Sequence, residues 1–105
     1  MDSKRKRNIL MENNYFAQVD TNNTVVEVIV ISPDDCQNLQ FPESEPIGQQ
    51  FIASIGLAGN WLQTSPEGLF RAYYAGIGYT FDSTLGEYGE FVPYVNPNPD
   101  PIESV

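Results

Sequence analysis

Apolar side chains alternate with small or polar ones most regularly in the second half of the chain. Ile77, Tyr79 and Phe81 would share one face of an extended segment 77–82. A period of two is typical of a strand with one buried face. We therefore predict a core strand here, around which the rest of the chain is organised.

Two glycines, Gly76 and Gly78, lie beside and within this segment. Because glycine has no Cβ, another backbone or an aromatic ring can lie directly against it. Trp61, Tyr73 and Tyr74 are the candidate rings. We predict close packing over both glycines, and Gly76 is the candidate for a positive backbone φ.

The clearest strand pair is formed by residues 15–19 and 24–31. Both segments are rich in β-branched and aromatic residues, and the segment 20–23 between them supplies turn-forming Asp and Asn side chains. The pattern predicts a β-hairpin. Glu27 is the one polar interruption of the second strand, so we expect much of both its faces to be covered.

One helix is predicted, over residues 46–57. Ser44 is a favourable N-cap, and Gly56 is expected to end the helix. Four apolar residues recur at helical spacing: Ile47, Phe51, Ile52 and Ile55. We expect this stripe to lie on the sheet, with Phe51 and Ile55 packing on the second hairpin strand.

The remaining segments add short strands and an acidic loop at 32–43. Residues 61–64 have extended character, and 90–94 can pair with 79–82 at an edge, because Pro93 cannot donate a ladder hydrogen bond. These elements predict an α+β, β-rich fold. It is a small, mainly antiparallel sheet of roughly three to five strands with one short helix packed on one face and extended termini.

Composition favours a single domain with two distinct ends. The chain has 105 residues, 41% of them apolar, and its eight glycines and eight prolines indicate many turns. We predict a basic flexible leader over residues 1–12, a compact domain over 13–94 and an extended arm over 95–105. Prolines at every second position of the arm favour polyproline II and exclude a helix or a central strand.

The leader carries four of the five basic residues of the chain: Lys4, Arg5, Lys6 and Arg7. Three interpretations stay open: an anchoring arm that binds an acidic protein groove or nucleic acid, a solvated tail, and translation upstream of a true start at Met11. The leader lacks the apolar region of a signal peptide, so secretion is not expected.

The rest of the chain is strongly acidic. The net charge is −9, and from Asn13 onward twelve carboxylates are accompanied by one positive side chain, Arg71. Such a body repels phosphate backbones and favours a basic protein partner. No apolar run approaches the roughly 20 residues of a membrane span. We therefore expect protein partners rather than nucleic acid or membrane.

Few residues suggest catalysis or metal binding. The chain contains no histidine, so its single cysteine, Cys36, has no partner for a nucleophile or a zinc site. Asp34 and Asp35 lie near Glu43 and Glu45, but the ligand spacing and glycine of a calcium loop are absent. We expect no cofactor and no metal, and interpret Cys36 as a packed or solvent-facing residue.

Two other functional classes stay open as alternatives. A small carboxylate-based enzyme would use Asp82 with Glu87 or Glu90 as acid and base, and a small regulatory protein is the other form of this alternative. A groove that stacks sugars or bases would use four aromatic residues, namely Trp61, Tyr73, Tyr74 and Tyr79. The enzyme lacks an activated nucleophile, and most of the four aromatic residues are expected in the core.

Three motifs together resemble a family of small proteins from marine tailed bacteriophages, including cyanophages. They are YFAQVD at 15–20, NWLQT at 60–64 and YAGIGYTFD at 74–82. The family has similar segments, YFAEID, WVQT and NYAGIGYTYD, in the same order. The similarity spans residues 15–94, and the AGIGYT segment is its most specific part. The family's Arg-Lys-Asn before the tyrosine is replaced here by residues 71–73, and the basic leader is additional.

The resemblance implies a non-enzymatic structural component of a tailed-phage virion. Such a protein would decorate the capsid or accompany the tail or fibre, in multiple copies, through contacts with other virion proteins. It would reside in the virion, and in the host cytoplasm before assembly. The candidate partner contacts are Trp61, Arg71, Tyr73, Tyr74, Gly76, Gly78 and Tyr79.

Overall fold

The computed structural model describes residues 12–94, so the predicted arm and all but the last residue of the predicted leader lie outside the described residues. The elements in chain order are β1 (Asn14–Val19), β2 (Val25–Ile31), a short 3₁₀ helix (Pro33–Cys36), α1 (Ser44–Ser54), β3 (Asn60–Thr64), β4 (Thr80–Asp82) and β5 (Glu90–Val92). None of the helices within 12–94 has the length and apolar character needed to cross a bilayer.

The strands form two antiparallel sheets. A three-stranded sheet has the order β2-β1-β3, and a two-stranded sheet pairs β4 with β5. The predicted α+β class is thereby confirmed, as are the hairpin and the pairing of the last two strands. The hairpin turn closes because the Asp20 carboxylate accepts hydrogen bonds from the backbone N–H groups of Asn22 and Thr24, at 2.8 and 3.0 Å.

Two apolar cores lie on opposite faces of the central strand β1. Because side chains alternate along a strand, Phe16 points to one face and Ala17 and Val19 to the other. The helix-side core contains Phe16, Ile31, Cys36, Ile52 and Trp61. The second core contains Ala17, Val19, Val25, Ala75 and Phe91. The fold therefore has a helix on one face of the sheet and the β4–β5 unit on the other.

The two sheets are connected through the hairpin turn. Val25 N–H donates to Tyr79 C=O at 2.7 Å, and Phe81 N–H donates to Asn23 C=O at 2.8 Å. These bonds place the start of β4 next to the beginning of β2, where Thr24 and Thr80 form an isolated antiparallel bridge between the two sheets. Ala72 in turn bridges to the far side of β5. Residues of both sheets thus contribute to the second core.

The predicted strand 77–82 begins only at Thr80. Residues 76–79 form a turn, in which Tyr79 N–H donates to Gly76 C=O at 2.9 Å and Gly78 has φ +94°. A positive φ at the third position is the signature of a type II turn, and glycine is the residue that adopts it without strain. Ile77 is consequently 71% exposed at the tip of the turn rather than buried.

Close packing accounts for Gly76, as predicted, but not for Gly78, and the positive φ considered for Gly76 is found at Gly78 instead. A Cβ on Gly78 would find only Tyr94 Cβ within 4 Å, at 3.9 Å, so Gly78 is required by its dihedral angle and not by packing. Gly76 has no positive φ, but a Cβ there would lie 2.9 Å from Cε1 of Tyr79. The ring over Gly76 is therefore Tyr79, and not Trp61 or the tyrosines at 73 and 74.

The helix is displaced toward the N-terminus relative to the prediction. Ser44 is its first residue and not its N-cap; the Ser44 hydroxyl is buried and donates to the side chain of Gln63. Phe51 packs beside the helix-side core as expected, whereas Ile55 is 53% exposed. Ile55 is the C-cap residue, where the chain has already left the sheet.

Strand β2 is less covered than its apolar sequence predicted. It is an outer strand of its sheet, and Val26 and Val30 are exposed, the latter at 52%. The helix-side core reaches only Ile29 and Ile31 at the end of the strand. The continuous apolar run of β2 therefore does not show that both faces of the strand are buried. Burial depends on which elements pack over the strand.

Two substitutions at Gly78 distinguish the cost of backbone strain from the cost of added side-chain volume. Gly78→Val should lower the free energy of unfolding by about 1–3 kcal/mol, because a β-branched residue is strained at positive φ. Gly78→Asn should cost clearly less, since asparagine tolerates the left-handed region. Denaturant unfolding of both variants measures the difference. Equal losses would instead indicate that the added volume matters.

The helix provides a matched pair of isoleucines. Ile52→Ala should destabilise the domain by about 2–5 kcal/mol, because Ile52 is fully buried and the change leaves a cavity in the helix-side core. Ile55→Ala, on an exposed side chain, should change stability by no more than about 0.5 kcal/mol. Thermal or chemical unfolding checks both. Similar effects at the two positions would contradict the observed face of the helix.

Candidate functional site

A cleft of about 620 Å³ opens beside the start of β1. Its walls come from the beginning of β1, the loop before α1, the end of β3 with the turn that follows, and Tyr88. The lining residues are Glu12, Asn13, Asn14, Tyr15, Leu39, Gln40, Phe41, Pro42, Gln63, Thr64, Ser65, Pro66, Glu67, Leu69, Phe70 and Tyr88. The set is mainly aromatic, aliphatic and amide, with two carboxylates and no cation.

Aromatic contacts hold one wall of this cleft in place. The rings of Phe41 and Phe70 stack nearly parallel with centroids 3.9 Å apart, and Tyr88 meets Phe41 edge-on at 4.9 Å. At the rim, Leu69 is 79% exposed. Tyr15, which also lines the cleft, is held edge-on by Tyr74 with ring centroids 5.8 Å apart. The cleft is therefore preformed and presents apolar surface to its opening.

An ion pair between Arg71 and Glu45 lies at the border of the cleft. Arg71 Nη1 donates to Glu45 Oε2 at 2.5 Å and Nη2 to Oε1 at 3.2 Å, and the side chains are only 7% and 16% exposed. The guanidinium carbon lies 5.1 Å from the ring centroid of Phe41 and 5.2 Å from that of Phe81. Charge, hydrogen bonds and cation–π contacts thus fix one side chain from several directions.

This ion pair also covers the outer edge of β3. Gln63 N–H donates to the Glu45 carboxylate at 2.8 Å, and Gln63 C=O accepts from Arg71 at 3.0 Å. Nearby, the Gln49 side chain donates to Trp61 C=O at 2.6 Å. Side chains therefore bind three backbone groups that would otherwise face a neighbouring strand: the N–H and C=O of Gln63 and the C=O of Trp61.

A buried polar chain connects the helix to the floor of the cleft. The Ser44 hydroxyl donates to Gln63 Oε1 at 2.7 Å, and Gln63 Nε2 donates to Asn14 Oδ1 at 3.0 Å. Ser44 and Gln63 are buried. Because each bond orients the next side chain, the helix N-terminus, β3 and β1 are held in one arrangement beneath the cleft.

The residues selected from the sequence do not form one surface. Trp61 is buried in the helix-side core, Tyr79 packs against the second core, and Arg71 is bound inside the ion pair. Tyr73 and Tyr74 are exposed. The four aromatics considered for a groove therefore lie on both sides of the sheet and do not make one, and the basic run at 4–7 lies outside the described residues.

Of the carboxylates considered as acid and base, Asp82 closes a turn in the structure. Asp82 and Glu90 are directly opposite in the β4–β5 register. The Asp82 carboxylate accepts from the hydroxyl and the backbone N–H of Thr84, and these bonds lower the pKa of Asp82. A carboxylate with a lowered pKa is ionised at neutral pH, so Asp82 has no proton to donate there.

Cys36 is a packed residue of the helix-side core. It is fully buried, and burial, reinforced by the charge of Asp35, raises the pKa of its thiol. The thiol is therefore protonated and shielded, which suits packing rather than nucleophilic chemistry. Among the described residues, His, Cys, Asp and Glu side chains form no group of three that could hold a metal ion.

The cleft itself was not found from the sequence. Its wall combines Phe41 and Phe70, which lie in segments without periodicity, with Tyr88 from a glycine-rich connection. From the sequence, Glu45 was considered only as a neighbour of Asp34 and Asp35 in a calcium loop whose ligand spacing is absent. The one available signal was the isolated positive charge of Arg71 in an acidic body, because a lone cation of that kind is a natural ion-pair partner.

The ion pair makes a stability prediction. Arg71→Met should cost about 3 kcal/mol or more, because it leaves the Glu45 carboxylate and Gln63 C=O without their partner. Glu43→Gln is the control: Glu43 is exposed, so the change should lie within about 0.5 kcal/mol. Unfolding in denaturant measures both. A loss at Arg71 as small as that at Glu43 would show that the pair is not a structural requirement.

Comparisons with known proteins supply no family for this chain. No protein family model, no curated protein and no solved structure matches it. The resemblance to tailed-phage proteins therefore rests on the three motifs, and the function has to be argued from the surface that the fold presents.

Proposed function

We propose that this chain is a non-enzymatic structural component of a tailed-phage virion, and that it acts through contacts with other virion proteins. The observation that carries the proposal is the preformed cleft with its exposed apolar rim. Exposed, contiguous apolar surface bordered by polar groups is typical of a protein interaction site.

Surface charge indicates what kind of partner the cleft receives. Arg71 is the one cation between positions 12 and 94, and its side chain is already bound to Glu45. The lining of the cleft adds Glu12 and Glu67. A partner surface with basic and apolar side chains would complement this region, whereas a phosphate backbone would be repelled.

The motif resemblance supports the same class of function. The segment 74–82, which carries its most specific part, forms the turn and strand that connect the two sheets, and Tyr74 supports the cleft residue Tyr15. The motif therefore maintains the fold and the cleft wall. An enzyme based on Asp82 has less support, because that carboxylate is engaged with Thr84.

Mass spectrometry of purified phage particles tests the proposal directly. We expect the chain in particles at a fixed copy number. A number near that of the major capsid protein would indicate capsid decoration, and one near that of the fibre proteins would indicate the tail. Absence from intact particles, with the chain present in infected cells, would contradict a virion role.

A matched pair of variants tests whether the cleft makes the contact. Leu69→Ser changes an exposed side chain at the cleft rim, and Ile55→Ser changes an exposed side chain away from the cleft. Both should leave the unfolding free energy nearly unchanged. Leu69→Ser should reduce incorporation into particles and Ile55→Ser should not; equal incorporation would place the contact elsewhere.

A further inference from the structure

The two outer strands of the three-stranded sheet differ in how their outer edges are bound. On β3, side chains bind the N–H and C=O of Gln63 and the C=O of Trp61. On the other side of the sheet, β1 is the only strand within 12–94 that pairs with residues 26–31 of β2. The backbone groups of β2 that point away from β1 therefore form an open edge along these residues.

The register identifies which backbone groups form this open edge. The N–H and C=O of one strand residue point to the same side, and two residues directly opposite each other either bond to each other or both point away. Gln63 lies opposite Phe16 but binds the side chains of the ion pair instead, so it points away from β1. Phe16 therefore bonds toward β2, where Ile29 is opposite. Val28 and Val30, on either side of Ile29, point outward.

The outward groups of this edge have little protection. No backbone hydrogen bond from outside the sheet reaches Val28 or Val30 within 12–94, whereas the outward groups of Val25 are bound by the turn at 76–79. Val30 is 52% exposed. Apart from a bulge near its beginning, β2 carries one charge, Glu27, and neither proline nor lysine. An unpaired β-branched edge of this kind readily accepts a further strand.

A second copy of β2 fits this edge as an antiparallel partner. Two identical antiparallel strands are related by a two-fold axis, so each favourable contact occurs twice. With the axis at Ile29, Val28 of each copy lies opposite Val30 of the other, and both pairs exchange N–H···O=C bonds. The two Ile29 side chains then meet across the pair. An axis at Val30 would instead leave Val28 opposite Ser32, beyond the end of β2.

Two features favour the axis at Ile29 over one at Val28. An axis at Val28 would place Ile31 of the second copy opposite Val25, whose outward groups are already bound. It would also bring the two Glu27 residues to diagonal positions roughly 7–8 Å apart. With the axis at Ile29 the two Glu27 residues are about 14 Å apart, beyond the Debye length of about 8–10 Å. The second β2 then ends before it reaches Val25.

The small size of the contact sets its expected strength. Stable interfaces bury about 1,200–2,000 Å², whereas this one covers a single strand edge and the side chains beside it. The one cation within 12–94, Arg71, is bound to Glu45, so two copies also repel each other through their acidic surfaces. We therefore expect a reversible dimer with a dissociation constant on the order of micromolar or weaker.

We infer that this chain forms a two-fold dimer in which the open β2 edges of two copies pair antiparallel about Ile29. The two three-stranded sheets would become one continuous sheet across both molecules. None of the residues that line the cleft belongs to 26–31, so the dimer leaves the cleft free for other proteins. The inference is independent of a virion role, because it concerns the isolated chain.

Light scattering and residue-resolved amide exchange of the full chain test the inference. The mass should rise from monomer to dimer between about 10 μM and about 1 mM, and the Val28 and Val30 amides should lose protection on dilution. Val30→Pro removes an outward donor and no bond to β1, so it should raise the dimer dissociation constant at least about tenfold. Val30→Thr, a β-branched control that keeps the N–H, should change it less than about threefold.

A cysteine at the proposed axis tests the register. Ile29→Cys should form a disulfide between copies under mild oxidation, because opposite residues without mutual hydrogen bonds have Cα atoms about 4.5 Å apart. Glu27→Cys is the matched control, since its counterpart would lie about 14 Å away and a disulfide needs about 4.4–6.8 Å. The native Cys36 is buried and should remain unlinked.

Three results would overturn the inference. A monomer at about 1 mM, with rapid exchange at Val28 and Val30, would show that the edge stays unpaired. A dimer that Val30→Pro leaves intact, or in which Glu27→Cys links as well as Ile29→Cys, would place the contact elsewhere.

The third result concerns salt. Edge pairing of two acidic bodies should tighten when salt rises from about 0.1 M to about 1 M, because their repulsion is screened. A dimer that dissociates instead would show that the basic run at 4–7 holds the copies together. Circular dichroism verifies that each variant keeps its fold, and the cysteine pair decides the question if the proline variant unfolds.

Discussion

The Arg71–Glu45 ion pair joins parts of the chain that are distant in sequence. It connects the first turn of the helix to the edge of β3 and to the segment that follows the turn after β3. The Arg71 guanidinium also donates to Tyr88 C=O and lies against Phe41. Because both charges are largely removed from water, the pair is stabilising only with this full set of hydrogen bonds, and its geometry therefore fixes the cleft wall.

The central strand β1 shows why a domain this small needs elements on both faces of its sheet. Phe16 is buried on the helix side, and Ala17 and Val19 are buried on the other. Each core is small, and neither face can remain in water without exposing apolar surface. The β4–β5 unit covers the second face, and it is positioned by the short pairing of its first strand with the hairpin turn. That pairing requires the turn at 76–79.

The same arrangement decides which surfaces remain for partners. The single cation of the described region is used internally, so its outer surface carries negative charge, and three exposed apolar or aromatic side chains, Leu39, Leu69 and Tyr88, line the cleft. An acidic surface discourages non-specific association among copies, while a preformed apolar site permits one specific contact. Two side chains that could in principle react have structural roles instead. The Asp82 carboxylate closes a turn, and Cys36 packs in the helix-side core.

The sequence by itself determined the elements that depend on local patterning: the hairpin, one helix and a β-rich α+β class. Predictions from the sequence were wrong where one local pattern can have two physical causes. Gly78 indicated packing but serves a type II turn, and the apolar run of β2 indicated coverage but belongs to an outer strand. Tertiary structure alone decided that Arg71 meets Glu45 and that Phe41 meets Phe70 and Tyr88. Such contacts join residues distant in the chain, and their partners depend on how the layers pack, which neither spacing nor composition specifies.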